Sequence, residues 1–247
     1  AVIVHRVGKG WGIYLNVLLD GYGRLRRDNY GGGAYRALID GLLAHLGIRP
    51  AVQVLDADGR PLTQAQVVRY RFGESEALAI VRENVSVKAV EGRDGVTVYE
   101  DANLGQVASQ EVTIRLPKPY RVTDVRTGKR LATGDSVKSA TTVGGALVLG
   151  LSQADNRITI SGPRSARLGD HPQFRLASSQ PGKALLRCHV FGPDGRFLAL
   201  YAQNIIVGGD GAAFTLPSAV NDAPGTYTVR VTDVITGASA ETKVALT

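Results

Sequence analysis

Apolar residues recur along this chain at two spacings, and the change falls near residue 51. Residues 1–7 form an apolar run, Gly8-Lys9-Gly10 supplies a tight turn, and residues 11–19 form a second run, which together predict a β-hairpin. Over 34–46, Tyr35, Leu38, Ile39, Leu42, Leu43 and Leu46 repeat at the i, i+3, i+4, i+7 spacing of one helical face. Gly47 follows the last periodic residue and Pro50 lies just beyond, so the helix is expected to stop there.

From residue 51 the period is two. Runs at 52–55, 67–72, 78–82, 96–99, 111–116, 120–125 and 146–151 are short, rich in β-branched and aromatic residues, and separated by Gly, Asp, Asn and Pro. A second set, 158–161, 173–177, 184–191, 197–207, 212–216, 226–231 and 242–246, follows the polar stretch 152–156, read as a linker. Short strands at this spacing predict antiparallel sandwiches. The expected fold is therefore mainly β: an α/β segment (1–50), a β-sandwich (51–152) and an immunoglobulin- or fibronectin-like β-sandwich (157–247).

The two sets echo each other. Val54-Leu55-Asp56-Ala57-Asp58-Gly59-Arg60-Pro61-Leu62 aligns with Val190-Phe191-Gly192-Pro193-Asp194-Gly195-Arg196-Phe197-Leu198, offset by 136 residues. Val122-Thr123-Asp124-Val125-Arg126-Thr127-Gly128 aligns with Val231-Thr232-Asp233-Val234-Ile235-Thr236-Gly237, offset by 109. Unequal offsets exclude a strict solenoid repeat. Asp-Gly and Thr-Gly between apolar runs predict tight turns, because glycine takes positive φ without a steric penalty.

Composition adds limits. At 247 residues, 44% apolar and 21% charged, the chain has globular composition and room for two or three cores. No apolar run reaches the length of a bilayer span, and the first residues lack a signal-peptide pattern, so the chain reads as soluble. The chain contains no methionine, not even at position 1, and reads as a processed product or a piece of a longer polypeptide. The single cysteine, Cys188, excludes an internal disulfide and a cysteine metal cluster, and alternation with Leu186 and Val190 makes it a core thiol. Of the net charge of +7, residues 1–49 hold seven basic against three acidic groups, around Arg24, Arg26 and Arg27, whereas the rest is nearly balanced. That distribution argues for a solvated basic loop and against nucleic-acid binding.

No catalytic constellation can be assembled. Asp56-Ala57-Asp58-Gly59 lacks the further ligands of a calcium loop. Gly8-Lys9-Gly10-Trp11-Gly12 joins two strands instead of leading into a helix, so its glycines serve a turn and not a phosphate; Gly31-Gly32-Gly33 does precede the helix, a position that can receive an anion. Glu74, Glu76, Glu83, Glu91, Glu100 and Asp101 read as surface charge, and His5, His45, His171 and His189 lack metal-ligand spacing. The expectation is no catalytic residue, no metal and no cofactor. Trp11, Tyr14, Tyr22, Tyr30 and Tyr35 do cluster, with the arginines interleaved, and rings with arginines suit a sugar face or a protein partner. Core filling explains Trp11, Tyr14 and Tyr35 equally well; Trp11, Tyr22 and Tyr30 are the candidate binding residues.

A family resemblance enters at this point. Gly8-Lys9-Gly10-Trp11-Gly12-Ile13-Tyr14-Leu15-Asn16, the helix ending in Gly47-Ile48-Arg49-Pro50, then Arg69-Tyr70-Arg71-Phe72-Gly73, Leu116-Pro117-Lys118 and Val125-Arg126-Thr127-Gly128-Lys129 resemble the C-terminal region of beta-galactosidase-like proteins of glycoside hydrolase family 42. The resemblance implies that residues 1–50 match the last strands and helix of a flavodoxin-like trimerisation domain and 51–152 the following sandwich. The barrel that carries that family's catalytic glutamates has no counterpart here, so no catalytic residue carries over. The implied role is a non-catalytic, oligomerising or glycan-presenting portion of an extracellular or cell-envelope protein, with homo-oligomer or filament neighbours and a possible glycan as partners. The alternative is a subunit of an extracellular assembly joined by β-strand addition through residues 1–7.

Overall fold

The computed structural model describes residues 2–16, 32–62, 65–82, 86–91, 97–102 and 109–247. Strands dominate, in chain order β1 (Val2–Val7), β2 (Gly10–Leu15), β3 (Gln53–Leu55), β4 (Ala65–Phe72), β5 (Ser75–Arg82), β6 (Ser86–Glu91), β7 (Thr97–Ala102), β8 (Ser109–Asp124), β9 (Arg130–Thr142) and β10 (Ala146–Ser152). Then come β11 (Ile158–Ser161), β12 (Ser165–Ala166), β13 (Gln173–Ser178), β14 (Ala184–Phe191), β15 (Gln203–Val207), β16 (Ala212–Thr215), β17 (Gly225–Asp233) and β18 (Ser239–Leu246). Among the described residues one α-helix, α1 (Gly32–His45), and one 3-10 turn at Ala199–Tyr201 complete the set.

The N-terminal hairpin and the helix form where the apolar spacing predicts them. The helix stops at Gly47 (φ 73°), whose N–H donates to Ala44, while the Ile48 N–H donates to Leu43. That pair of bonds closes the last turn and satisfies carbonyls that a helix end otherwise leaves open.

Strands β3, β8, β10, β5 and β4 lie side by side in that order, with β9 also paired to β8. The sequence predicts two strands on either side of Pro117 and Pro119, yet β8 runs unbroken through both. Both prolines are exposed, where a missing N–H costs least. β9 was not predicted, because its run Arg130-Leu131-Ala132-Thr133-Gly134-Asp135 is polar and mostly exposed. The expected strand 197–207 is broken by the 3-10 turn, and its second part survives as β15. The expected residue Val96 and the far end of the second run, 17–19, lie outside the described residues.

The chain divides into two compact units, one of residues 1–66, 81–114 and 139–146, the other of 67–80, 115–138 and 147–247. In the first, the described residues 2–16 and 34–50 include none that is buried; Val54, Leu55, Val112, Ile114 and Val143 are buried further on. In the second, β11-β13-β16 and β12-β18-β17-β14-β15 form two sheets over one core. Phe174, Leu176 and Phe214 face Leu186, Cys188, Val190, Tyr227, Val229, Val231, Val244 and Leu246, all nearly or wholly excluded from solvent. Burying each such side chain contributes about 1.5–3 kcal/mol, so this core stabilises its unit strongly. Tyr227, near the start of β17, donates back to the Ala223 carbonyl at 2.8 Å, the tyrosine-corner arrangement of two-sheet sandwiches. The last strand, β18, also pairs in parallel with β12, Ser165 opposite Ala245 and Ala166 opposite Leu246.

Both echoes are turns of matching geometry. Asp56 N–H donates to Arg60, Gly59 to Asp56 and Leu62 to Val54; Gly192 donates to Arg196, Gly195 to Gly192 and Leu198 to Val190. Gly59 and Gly195 share φ 78°. The second pair matches as closely: Asp124 donates to Lys129 and Gly128 to Asp124, as Asp233 does to Ala238 and Gly237 to Asp233.

Within the second unit these later turns meet. Thr123 Oγ1 donates to the Thr236 carbonyl at 3.3 Å, and a Cβ on Gly237 would overlap the Gly128 carbonyl. Gly150 passes so close to the Ile235 carbonyl that a Cβ there would also overlap it. The stretch read as a linker is tied down in the same region. Gln153 Nε2 donates to Pro119, Asp155 pairs with Arg121 and Arg130, and Asn156 Nδ2 donates to Asp233 Oδ2 at 2.7 Å.

Candidate functional site

The described hairpin and helix between residues 2 and 50 carry a cluster of large apolar side chains that stay exposed. Pairing of Val2 with Leu15, Val4 with Ile13 and Arg6 with Trp11 puts these six on one face of the hairpin. Ile3 with Tyr14, His5 with Gly12 and Val7 with Gly10 make the other. Ile3, Val7, Trp11 and Tyr14 are 57%, 62%, 48% and 61% exposed, so neither face is closed. The hairpin is a two-stranded sheet, with both outer edges unpaired among the described residues. Such a ribbon is marginal on its own, and its edges offer a row of free N–H and C=O groups.

Trp11, a candidate binding residue, lies on the face with Val2 and Val4 and meets His45 of α1 edge-on, ring centroids 5.6 Å apart. Tyr14 is on the opposite face, so the two rings do not share one surface. Tyr35 is half-buried on the helix along with Leu38, Ile39 and Leu42, whereas Leu43 is exposed. Tyr22, Tyr30, Arg24, Arg26, Arg27 and Gly31 lie outside the described residues. No spacing rule pairs Trp11 with His45, which are far apart in sequence.

One expectation is corrected. Glu76 reads as surface charge, but β5 turns it inward, and it is 9% exposed. Arg69 donates to its Oε2 through Nε, at 2.9 Å, and through Nη2, and Tyr120 donates to Oε1 at 3.0 Å. Burial pushes the Glu76 carboxyl up, but the hydrogen bonds from Arg69 and Tyr120 with the Arg69 charge outweigh it and hold the group below the usual carboxylate range. The signal was the alternation itself: Glu76 is in phase with Leu78 and Ile80. Both oxygens of this carboxylate are occupied by neighbours, an arrangement that holds strands together. Glu74 is exposed, as expected.

Cys188 is fully buried in the sandwich core, and burial pushes its thiol up to about 12, so it is no nucleophile near neutral pH. His189 stacks edge-on with Phe197 at 4.8 Å, and burial together with Arg187 and Arg230 lowers its pKa. Among the described residues no group of three His, Cys, Asp or Glu side chains is placed to hold a metal. No described helix is long and apolar enough to cross a membrane. No family model and no curated protein matches this chain.

Proposed function

We propose that this chain is a structural, oligomerising portion of a beta-galactosidase-like carbohydrate-active protein of the cell envelope or exterior, and that residues 2–50 are its assembly surface. The reading rests on one observation: a hairpin and an amphipathic helix with well-formed geometry in which none of the described residues is buried. Elements patterned this way acquire a core only when another surface covers them. The resemblance of the same segment to a trimerisation domain supports the reading, as does the tyrosine corner of the last sandwich for an immunoglobulin-like module.

The occupant is a second copy of the chain. β1 is self-complementary when two copies pair antiparallel about Val4: Val2 faces Arg6, Ile3 faces His5 and Val4 faces its own counterpart, so no like charges oppose each other. Addition of β1 to a neighbour's sheet edge is the same contact in an open chain of subunits. Native mass by light scattering, for the chain and for an Ile3→Lys/Tyr14→Glu variant, tests this. The native chain should be a concentration-dependent oligomer and the variant a monomer of unchanged circular dichroism. A monomeric native chain at high concentration would sink the proposal.

A further inference from the structure

On the three-stranded sheet of the last sandwich an open cleft of about 530 Å³ lies between Ser161, Gly162, Gln173, Arg175, Asp210 and Ala213. Its size falls in the range of small-molecule sites. Two glycines set its walls. A Cβ at Gly162 would overlap the Phe174 ring, and one at Gly211 (φ 82°) would come within 2.7 Å of the Leu176 carbonyl. The chain is thus held back to bare backbone on both sides, over a floor of Ala212 and the buried Phe174.

The rim is polar and formally neutral. Strand register places Ser161 opposite Arg175 and Arg175 opposite Ala213, so hydroxyl, guanidinium and a small methyl group lie in one row on the exposed face. Gln173, two residues away on β13, shares that face. Arg175 Nη2 donates to the Asp210 carbonyl at 3.3 Å, which fixes the guanidinium beside the 208–211 turn. The Asp210 carboxylate is exposed and takes part in no hydrogen bond or ion pair with described residues. An arginine and glutamine that donate, a carboxylate that accepts and a hydroxyl that does both match adjacent hydroxyl groups, each of which is donor and acceptor. Opposite charges cancel across the rim, which favours a neutral ligand over an ionic one.

The geometry points to this cleft as a binding site for one neutral sugar ring, free or at the end of a glycan chain. The assignment deepens the carbohydrate-related reading above and rests on it, but it uses none of residues 2–50.

The test is a ¹⁵N-resolved NMR titration of the full chain with galactose, glucose, mannose and lactose, with galacturonate as the charged control. At least one neutral sugar should shift the amides of Ser161, Arg175, Gly211 and Ala213. Ala213→Trp, which fills the cleft from its exposed side, and Asp210→Asn, at an exposed turn, should each weaken binding about tenfold or more, a loss near 1.4 kcal/mol. Tighter binding of lactose than of galactose assigns the chain end, and equal binding assigns the single ring. Silence of these amides with every neutral sugar, a response to galacturonate alone, or binding unchanged in both variants would each overturn the site. The native mass is read separately, so the cleft can fail while the assembly reading stands, and the reverse.

Discussion

Glu76 shows how one side chain can be placed by its phase within a strand and still be misread by its type. Its carboxylate sits on the inward face of β5 because Arg69 and Tyr120 supply three hydrogen bonds that replace water. Glu76→Ala would leave the guanidinium and the phenol short of an acceptor, at a cost of about 2 kcal/mol for lost bonds to a charged group. The direction with pH follows from the shift. The folded pKa lies below the ordinary carboxylate value, so the stabilisation is complete above that ordinary value and is lost as pH falls through the lower folded one. Denaturant unfolding followed between neutral and acid pH should therefore show the native chain losing stability in that window, with a shallower loss for Glu76→Gln. An identical acid slope in both proteins would refute the assignment.

At the scale of elements, the turns were legible in the sequence and some strands were not. Asp58-Gly59 and Asp194-Gly195 carry their conformation in a few local residues, so both folded where the pattern placed them. The same holds for α1, whose spacing and terminal Gly47 are local signals. β9 and the continuity of β8 depend instead on a neighbouring strand that supplies hydrogen bonds to an exposed, polar or proline-bearing run, and no local signal records a neighbour. The candidate site was legible only in part: aromatic clustering drew attention to Trp11 and Tyr14, but the face each occupies depends on strand register. Gly59 and Gly195 provide a direct comparison of the two turns. Both have φ 78° and nothing within 4 Å of an added Cβ, so alanine at either position meets only the backbone penalty. Each substitution should cost about 1–2 kcal/mol by thermal unfolding, with asparagine costing less. Markedly unequal penalties would show that the two turns are not equivalent.

For the whole molecule, the segment 152–156 decides whether the second unit moves as one piece or as two. Its polar composition suggests a flexible connector, but Asn156 is 9% exposed and its amide serves both directions. It donates to Asp233 and accepts from the Ser178 hydroxyl at 3.0 Å and the Ser179 N–H at 3.2 Å. Asp233 is itself buried and caps the Ile235 N–H and the Thr236 hydroxyl. Asn156→Ala removes one donor from a buried carboxylate and should destabilise by about 1–3 kcal/mol. Limited proteolysis provides the matching measurement: the native chain should resist cleavage at 153–156 and the variant should be cut there. Rapid cutting of the native chain at that stretch would mean the ties do not hold in solution.

The parallel pairing of β12 with β18 also governs how the last sandwich bears load. Tension applied between Arg164 and Thr247 drags Ser165–Ala166 and Ser239–Leu246 in opposite directions along their shared axis. The bonds of Leu168 to Thr247, Ala245 to Arg164 and Thr247 to Ala166 must then slide and fail together instead of opening one by one like a zipper. A module anchored in this way is stiff when pulled between these two points and yields readily only when its final strand is peeled sideways.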